Sequence, residues 1–325
     1  MTIDQKIAQL KQIIHQQLTP LIQSDYVLWA LPYHENIGDT LIWQGELAFL
    51  EHLPHRCKGT CGWNRMEPNV PLAPNTTILL HGGGFIGDVW REAWSYMLNI
   101  LTHYAQHPIV LLPNTLYYND TTLLKHDAQL MSRFSNLTIC VRDERSYQLA
   151  TQHFTNPVRL VPDMAFCIPT QKLRSLTTPP TRSTLLLKRK DKEAVNTHYS
   201  THPTIDTHDW PTVSEALHWQ DHCFNFLQRA TSCSSRRLPS CYPLMQQIEA
   251  LWTYHIYRPY LIRRGVNLLS SYEQIVTTRL HGLILSMLLN KPVKFIDNSY
   301  GKLSTFYNTW LTNTENVAPF EGEMK

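Results

Sequence analysis

The chain has 325 residues, 43% of them hydrophobic and 17% charged, and a formal charge of +3. That length exceeds what one hydrophobic core usually organises, and this balance excludes an extensively disordered chain. Lys and Arg are scattered rather than clustered, which removes the main electrostatic argument for nucleic acid, and no apolar run approaches the roughly 18 residues of a membrane span. Ile7, Leu10, Ile14 and Leu18 recur at helical spacing and stop at Pro20, predicting an amphipathic first helix. A strand is predicted at Tyr26 to Leu31. Further short apolar runs follow at Thr77 to Leu80, Ile109 to Leu112, Leu137 to Val141 and Val158 to Val161, each separated by enough chain for a helix. That alternation predicts parallel strands joined by right-handed crossovers, a Rossmann-like sheet.

The texture changes after Asp163. Pro169, Pro179 and Pro180 among Thr and Ser predict a linker over about 169–183, with an N-terminal unit over 1–168 and a second α/β unit over 184–325. In that second unit a strand is expected at Thr184 to Leu187, a helix near Leu244 to Arg264, a strand at Gln274 to Thr278, a helix after Gly282 and a strand at Val293 to Asp297. The polar middle, His198 to Tyr242, reads only coarsely as loop plus helix. The fold class is therefore α/β, with two Rossmann-like domains facing across a cleft, a GT-B-like arrangement whose ligands gather at strand carboxyl ends.

Candidate site residues fall at those strand ends. Gly82, Gly83, Gly84 and Gly87 lie within six positions although the chain has only twelve glycines. After His81 they predict either a bare backbone turn entering a helix and approaching an anionic ligand, or a tight turn that lets strand and helix pack. The loop His34-Glu-Asn36-Ile-Gly38-Asp39 reads as a capped helix start and as a cleft loop whose Asp39 accepts a proton from a sugar hydroxyl. Arg142, leaving an apolar strand, predicts a cleft arginine for phosphate or carboxylate. Arg279-Leu280-His281-Gly282, at another strand exit, places two cationic groups where an anion would sit, and Lys302 adds a third. Arg189, Asp191 and Glu193 either line the cleft or form a polar loop. His103 and His107 are one helical turn apart without a third ligand, and Cys57 and Cys61 lack the second pair of a zinc ribbon, so no metal is expected. Seven cysteines, an odd number, with no charged-then-apolar leader over 1–23, predict free thiols and a cytoplasmic location.

Taken in order, Asn36-Ile-Gly38-Asp39, Gly82-Gly-Gly84, Arg142-Asp-Glu144-Arg-Ser146, Arg189-Lys-Asp191-Lys-Glu193, Thr278-Arg-Leu-His-Gly282 and Asp297 to Lys302 resemble the motifs of the polysaccharide pyruvyl transferase family. The resemblance covers most of the chain but not His198 to Tyr242, where acceptor choice is expected to reside. It implies phosphoenolpyruvate as donor and co-substrate, no other cofactor, and a galactose- or N-acetylhexosamine-type acceptor in a cell-surface polysaccharide or its lipid-linked precursor. A lipid-linked acceptor would extend the location to the inner face of the membrane. By motif match, Arg142, Arg279, Leu280, His281 and Lys302, with Gly83 and Gly84, would bind the donor. Asn36, Asp39 and His81 are assigned to the acceptor, and Asp39, His281 and Glu193 to proton transfer. Two rivals remain: a GT-B glycosyltransferase using a nucleotide sugar, and a non-catalytic sugar-binding protein of polysaccharide assembly.

Overall fold

The computed structural model describes residues 1–63, 65, 70–194, 205–215 and 217–321. Strands β1 (Tyr26–Leu31), β2 (Cys57–Gly62), β3 (Thr77–Leu80), β4 (Gly83–Gly87), β5 (Ile109–Tyr117), β6 (Leu137–Val141) and β7 (Val158–Leu160) form one sheet in the order β2-β1-β3-β5-β6-β7, with β4 pairing the far half of β5. Strands β8 (Arg182–Leu187), β9 (Ile205–His208), β10 (Tyr272–Thr277), β11 (Val293–Phe295) and β12 (Val317–Pro319) form a second, in the order β12-β11-β10-β8-β9. Among the described residues every strand pairing is parallel, from Tyr26 opposite Thr77 in the first sheet to Ile275 opposite Leu185 in the second. Such sheets are covered on both faces, and here β1, β3 and most of β5 are buried along their length.

The helices are α1 (Ile3–Leu18), α2 (Ile37–Leu50), α3 (Arg91–His103), α4 (Thr121–Met131), α5 (Glu144–His153), α6 (Thr170–Arg174), α7 (Pro211–Ser214), α8 (Trp219–Arg237), α9 (Tyr242–Trp252), α10 (Arg258–Ser270), α11 (Leu280–Leu288) and α12 (Lys302–Phe306). Helix α1 begins with a capping box in which Thr2 and Gln5 satisfy each other's backbone N–H groups. One continuous core contains Leu28 and Leu112 of the first sheet together with Leu185 and Ile275 of the second, bridged by Leu10 and Ile14 of α1, Leu41 of α2, Val266 of α10 and Leu285 of α11. The two sheets are thus cemented through helices of both halves.

Several expectations change on this scaffold. The stretch 169–183 is more than a connector: α6 lies inside it, Leu173 is buried, and Arg174 pairs with Asp4 and donates to the Leu288 carbonyl. Pro169 sits at the N-cap of that helix, where its missing N–H costs nothing. The strand expected to end at Leu112 runs on to Tyr117 through a register shift beside Pro113, because β4 pairs with the extension. The helix expected over Leu244 to Arg264 is α9, a π-helical turn at Thr253–Tyr257, and α10. Within 198–242, the described part holds β9, α7 and α8; residues 198–204 and 216 lie outside the described residues.

Candidate functional site

In each sheet the chain runs to one side and then crosses to the other, between β1 and β3 in the first sheet and between β8 and β10 in the second. Loops leaving such neighbouring strands diverge and open a crevice at their carboxyl ends. Both crevices face one cavity of ≈ 650 Å³, within the range of small-ligand sites. Its wall includes His34 and Asp39 after β1, His81 and Gly84 after β3, Arg142 after β6, Glu193 after β8, and Arg279 and His281 after β10.

One corner gathers cations. Arg142 is fully buried; its Nη1 donates to Asp163 Oδ2 at 2.6 Å and its Nε to Thr115 Oγ1 at 2.9 Å. The same Asp163 oxygen lies 3.3 Å from His281 Nε2, so one carboxylate orients both the guanidinium and the imidazole. Burial pushes the Asp163 carboxyl upward, but His281 and Arg142 outweigh it and hold the group well below the usual carboxylate range. Gly38, in the first turn of α2, is packed so closely that a Cβ there would lie 2.6 Å from His281 Nδ1. Lys302 follows Gly301, whose φ of 80° turns the chain into α12. A Cβ on Gly84 would lie 2.6 Å from Lys302 Nζ and 2.9 Å from Arg142 Nη2, so both cations close over this bare stretch of backbone.

A second charge chain adjoins this corner through Lys302. Glu193 accepts from Arg189 Nη1 at 2.6 Å, Trp90 Nε1 at 2.9 Å, Tyr300 OH at 2.9 Å and Asn298 Nδ2 at 3.1 Å, and lies 3.6 Å from Lys302 Nζ. Burial raises its proton affinity, yet Lys302 and Arg189 overcome that and keep the carboxylate ionised far into acid. Burial depresses the Lys302 ammonium, a shift that Glu193 opposes and Arg142 and Arg189 reinforce. Arg189 also forks onto Asp191, whose Oδ2 lies 3.4 Å from Arg279 Nη2. Arg279 in turn engages buried Asp209 through both Nε and Nη2. Trp90 arrives from the first half of the chain to meet Glu193 and lies under Lys192 Nζ at 3.9 Å, so the cleft is bridged at its rim.

On the remaining side Asn36 caps α2, accepting from Gly38 N, and donates to Asp39 Oδ2 at 2.9 Å, with His34 Nε2 3.6 Å from that oxygen. Burial lowers the proton affinity of His34, against the pull of Asp39. His81 is buried: Glu46 takes its Nδ1 at 2.8 Å and the Gly82 N–H at 2.8 Å, while Nε2 has no hydrogen-bond partner among the described residues.

The structure therefore brings Arg142, His281, Lys302 and Gly84 into one corner, with Asn36, Asp39 and His81 around the same cavity. Leu280 is a buried wall residue, and Gly83 is strand backbone rather than a helix entry. That corrects one expectation: the glycines do not lead into a helix N-terminus, since β4 continues to Gly87 and α3 begins only at Arg91. Arg279 and His281 also diverge, one to Asp209 and the other to Asp163, because Arg279 caps α11 in extended conformation while His281 lies in its first turn. Asp163, Asp209 and Glu46 escaped the sequence reading. A carboxylate in the mostly apolar Leu41 to Phe49 run was the signal for Glu46, and Asp163 follows a strand as the other site residues do. His103 and His107 bond backbone carbonyls of Asn99 and Thr76. Among the described residues no cluster of three or more His, Cys, Asp and Glu side chains is placed to hold a metal, and no helix is long and apolar enough to cross a membrane.

Fold and site together define a Rossmann-like α/β protein with a cleft lined by cationic side chains at paired strand ends. The family description polysaccharide pyruvyl transferase matches residues 36–300. The chain is 33% identical to the Bacillus subtilis (strain 168) protein named "Putative pyruvyl transferase EpsO", over 95% of this chain and 91% of that one. It is 26% identical to Pyruvyl transferase 1 of Schizosaccharomyces pombe, over 87% and 69% of the two chains. A crystal structure of a functionally uncharacterized protein from Klebsiella pneumoniae superposes with a TM-score of 0.61 at 18% identity, covering 96% of this chain and 99% of the other, a likeness of fold. The chain belongs to the polysaccharide pyruvyl transferase family. It is by that membership a transferase of polysaccharide biosynthesis with a sugar or polysaccharide acceptor.

Proposed function

We propose that the chain transfers the enolpyruvyl carbons of phosphoenolpyruvate onto two hydroxyls of one hexose or N-acetylhexosamine, forming a cyclic ketal and releasing phosphate. What carries the reading is the corner where Arg142 and Lys302 close over Gly84 while Asp163 holds His281 beside Arg142. A phosphate and a carboxylate within a three-carbon ester need such a group of donors, each charge-assisted bond contributing about 1.5 to 3 kcal/mol. The cavity exceeds what that ester fills, and Phe85, Tyr96 and Trp210 on its wall suit a sugar face.

Ketal formation removes a proton from each of two hydroxyls; one proton ends on the methylene carbon and the other on the departing phosphate. Asp39, positioned by Asn36, is the base for one hydroxyl. His81 Nε2 lines the acceptor side, its ring fixed by Glu46. His281, its ring held by Asp163, donates to the phosphate as it leaves. Glu193, assigned to proton transfer by the motif match, accepts from four neighbours and stays ionised, so its role is to place Arg189 and Lys302. Arg279 acts from one carboxylate further out, no other cofactor is invoked, and the two Rossmann-like units, 1–168 and 184–325, form a GT-B-like pair around the cleft.

The test is incubation with phosphoenolpyruvate and a panel of galactosides and N-acetylhexosaminides. Acceptor-dependent phosphate release with a pyruvate-sized mass gain is expected. Turnover with a nucleotide sugar instead would overturn the reading.

A further inference from the structure

Helices α8 and α9 pack side by side and antiparallel, with Trp219 at the start of one against Trp252 at the end of the other. Their outer faces are unusual. On α8 the exposed residues Trp219, His222, Phe226, Arg229, Cys233 and Arg237 recur at helical spacing along one stripe; on α9 Leu244, Ile248 and Leu251 do the same. Phe226 is 68% exposed, Trp219 and Leu244 each 59%, and Leu251 53%. A contiguous outward set of large apolar side chains is uncommon on a protein that has only water to face.

Charge distribution identifies the partner. Between Trp219 and Arg264 the sequence has six arginines and two carboxylates. Both carboxylates are buried and engaged internally: Asp221 accepts from Tyr257, Tyr260 and Arg264, and Glu249 from Arg65. Arg229, Arg236, Arg237 and Arg263 face outward with no exposed carboxylate in the same segment. Pairing this face with a second copy would oppose arginine to arginine. Aliphatic and aromatic side chains flanked by guanidinium groups match an anionic bilayer instead, where the apolar groups enter the acyl boundary and the arginines reach the phosphate plane. The hairpin also abuts the cleft: Gln228 Nε2 donates to the Tyr33 carbonyl in the loop leading to Asn36 and Asp39, and Val213, just before α8, lines the cavity.

We propose that the α8–α9 hairpin is a docking surface for an anionic lipid bilayer, on which the protein lies without crossing it. Bilayer binding stands on the surface alone; its use, presenting the sugar of a membrane-anchored acceptor to the adjoining cleft, rests on the pyruvyl-transfer reading. The test is co-sedimentation of the full chain with vesicles of phosphatidylcholine alone and of equimolar phosphatidylcholine and phosphatidylglycerol, at low and high salt. Retention on the anionic vesicles only, weakened by salt, is expected. Arg229→Gln, Arg236→Gln and Arg237→Gln combined should weaken partitioning by about fivefold per arginine, about a hundredfold together. Phe226→Ser, Leu244→Ser and Leu251→Ser combined should abolish retention, with melting temperature and turnover of a water-soluble acceptor unchanged. No retention of the wild type, equal retention of the variants, or a concentration-dependent dimer dissolved by the serine variant would each overturn the proposal. Vesicle binding needs no substrate and turnover of a soluble sugar needs no vesicle, so failure here and failure of the pyruvyl-transfer reading are read separately.

Discussion

Replacing Gly84 with alanine puts a methyl carbon 2.6 Å from Lys302 Nζ and 2.9 Å from Arg142 Nη2. Ordinary van der Waals contact begins near 3.4 Å, so one or both cations must retreat. Arg142 is pinned by Asp163 and Thr115 and is fully buried, whereas the ammonium ends a flexible chain. Lys302 therefore moves furthest, by about 0.8 Å, out of the corner, and the Arg142 Nη2 end gives by about 0.5 Å. The fold should tolerate this, since no backbone has to shift. The donor should not: loss of one charge-assisted bond, about 1.5 to 3 kcal/mol, corresponds to roughly a 10- to 150-fold rise in KM for phosphoenolpyruvate. Initial rates of phosphate release, with donor varied at saturating acceptor, measure it, and a thermal melt checks that the protein is intact. A folded Gly84→Ala variant with an unchanged donor KM would refute the placement of the donor over this glycine.

Asp39→Asn should lower kcat by about a hundredfold or more while leaving the donor KM nearly constant, as for removal of a general base; steady-state kinetics with each substrate varied will separate the two. Glu193→Gln leaves Lys302 and Arg189 short of a counter-charge in a buried setting, at a cost of about 3 kcal/mol, seen as a fall of about 4 °C in melting temperature. Alkaline pH probes Lys302: because its affinity for a proton is depressed in the fold, it loses charge below the usual lysine range. In the free enzyme kcat/KM for the donor should accordingly begin to fall at a pH below the ordinary lysine range, and Lys302→Arg should move that limb upward. Asp163 and Glu193 act at the other end of the scale. Their folded affinities lie below the unfolded ones, so the stability they provide is complete above the ordinary carboxylate range and lost as pH falls toward their folded values. An acid-unfolding midpoint for Glu193→Gln that matches the wild type would contradict that assignment.

The strands were legible where burial and composition agree: Tyr26 to Leu31, Thr77 to Leu80 and Leu137 to Val141 are the structure's β1, β3 and β6 with the same ends. The misreadings share a cause. Gly83 to Gly87 lacks the β-branched and aromatic enrichment of a strand and is extended only because β5 offers it an edge, a tertiary effect that no local pattern records. Strand β9 is polar and only half-buried, placed by pairing with β8. At the site, arginines at strand exits announce themselves because an apolar strand gives them no other reason to be there. Their carboxylate partners do not: Asp209 lies after β9, in a polar stretch where an aspartate is unremarkable until Arg279 is seen to engage it.

The continuous core beneath both sheets bears on how substrates come and go. Lobes joined by a lone linker swing apart about a hinge, typically on microsecond to millisecond timescales. Here Leu10, Leu41, Val266 and Leu285 pack the two halves into one body, and Trp90 and Tyr300 close the rim against Glu193. A swing of one half away from the other would have to break that shared packing, so substrate passage is expected to use side-chain rotation at the rim, which is orders of magnitude faster than a domain motion.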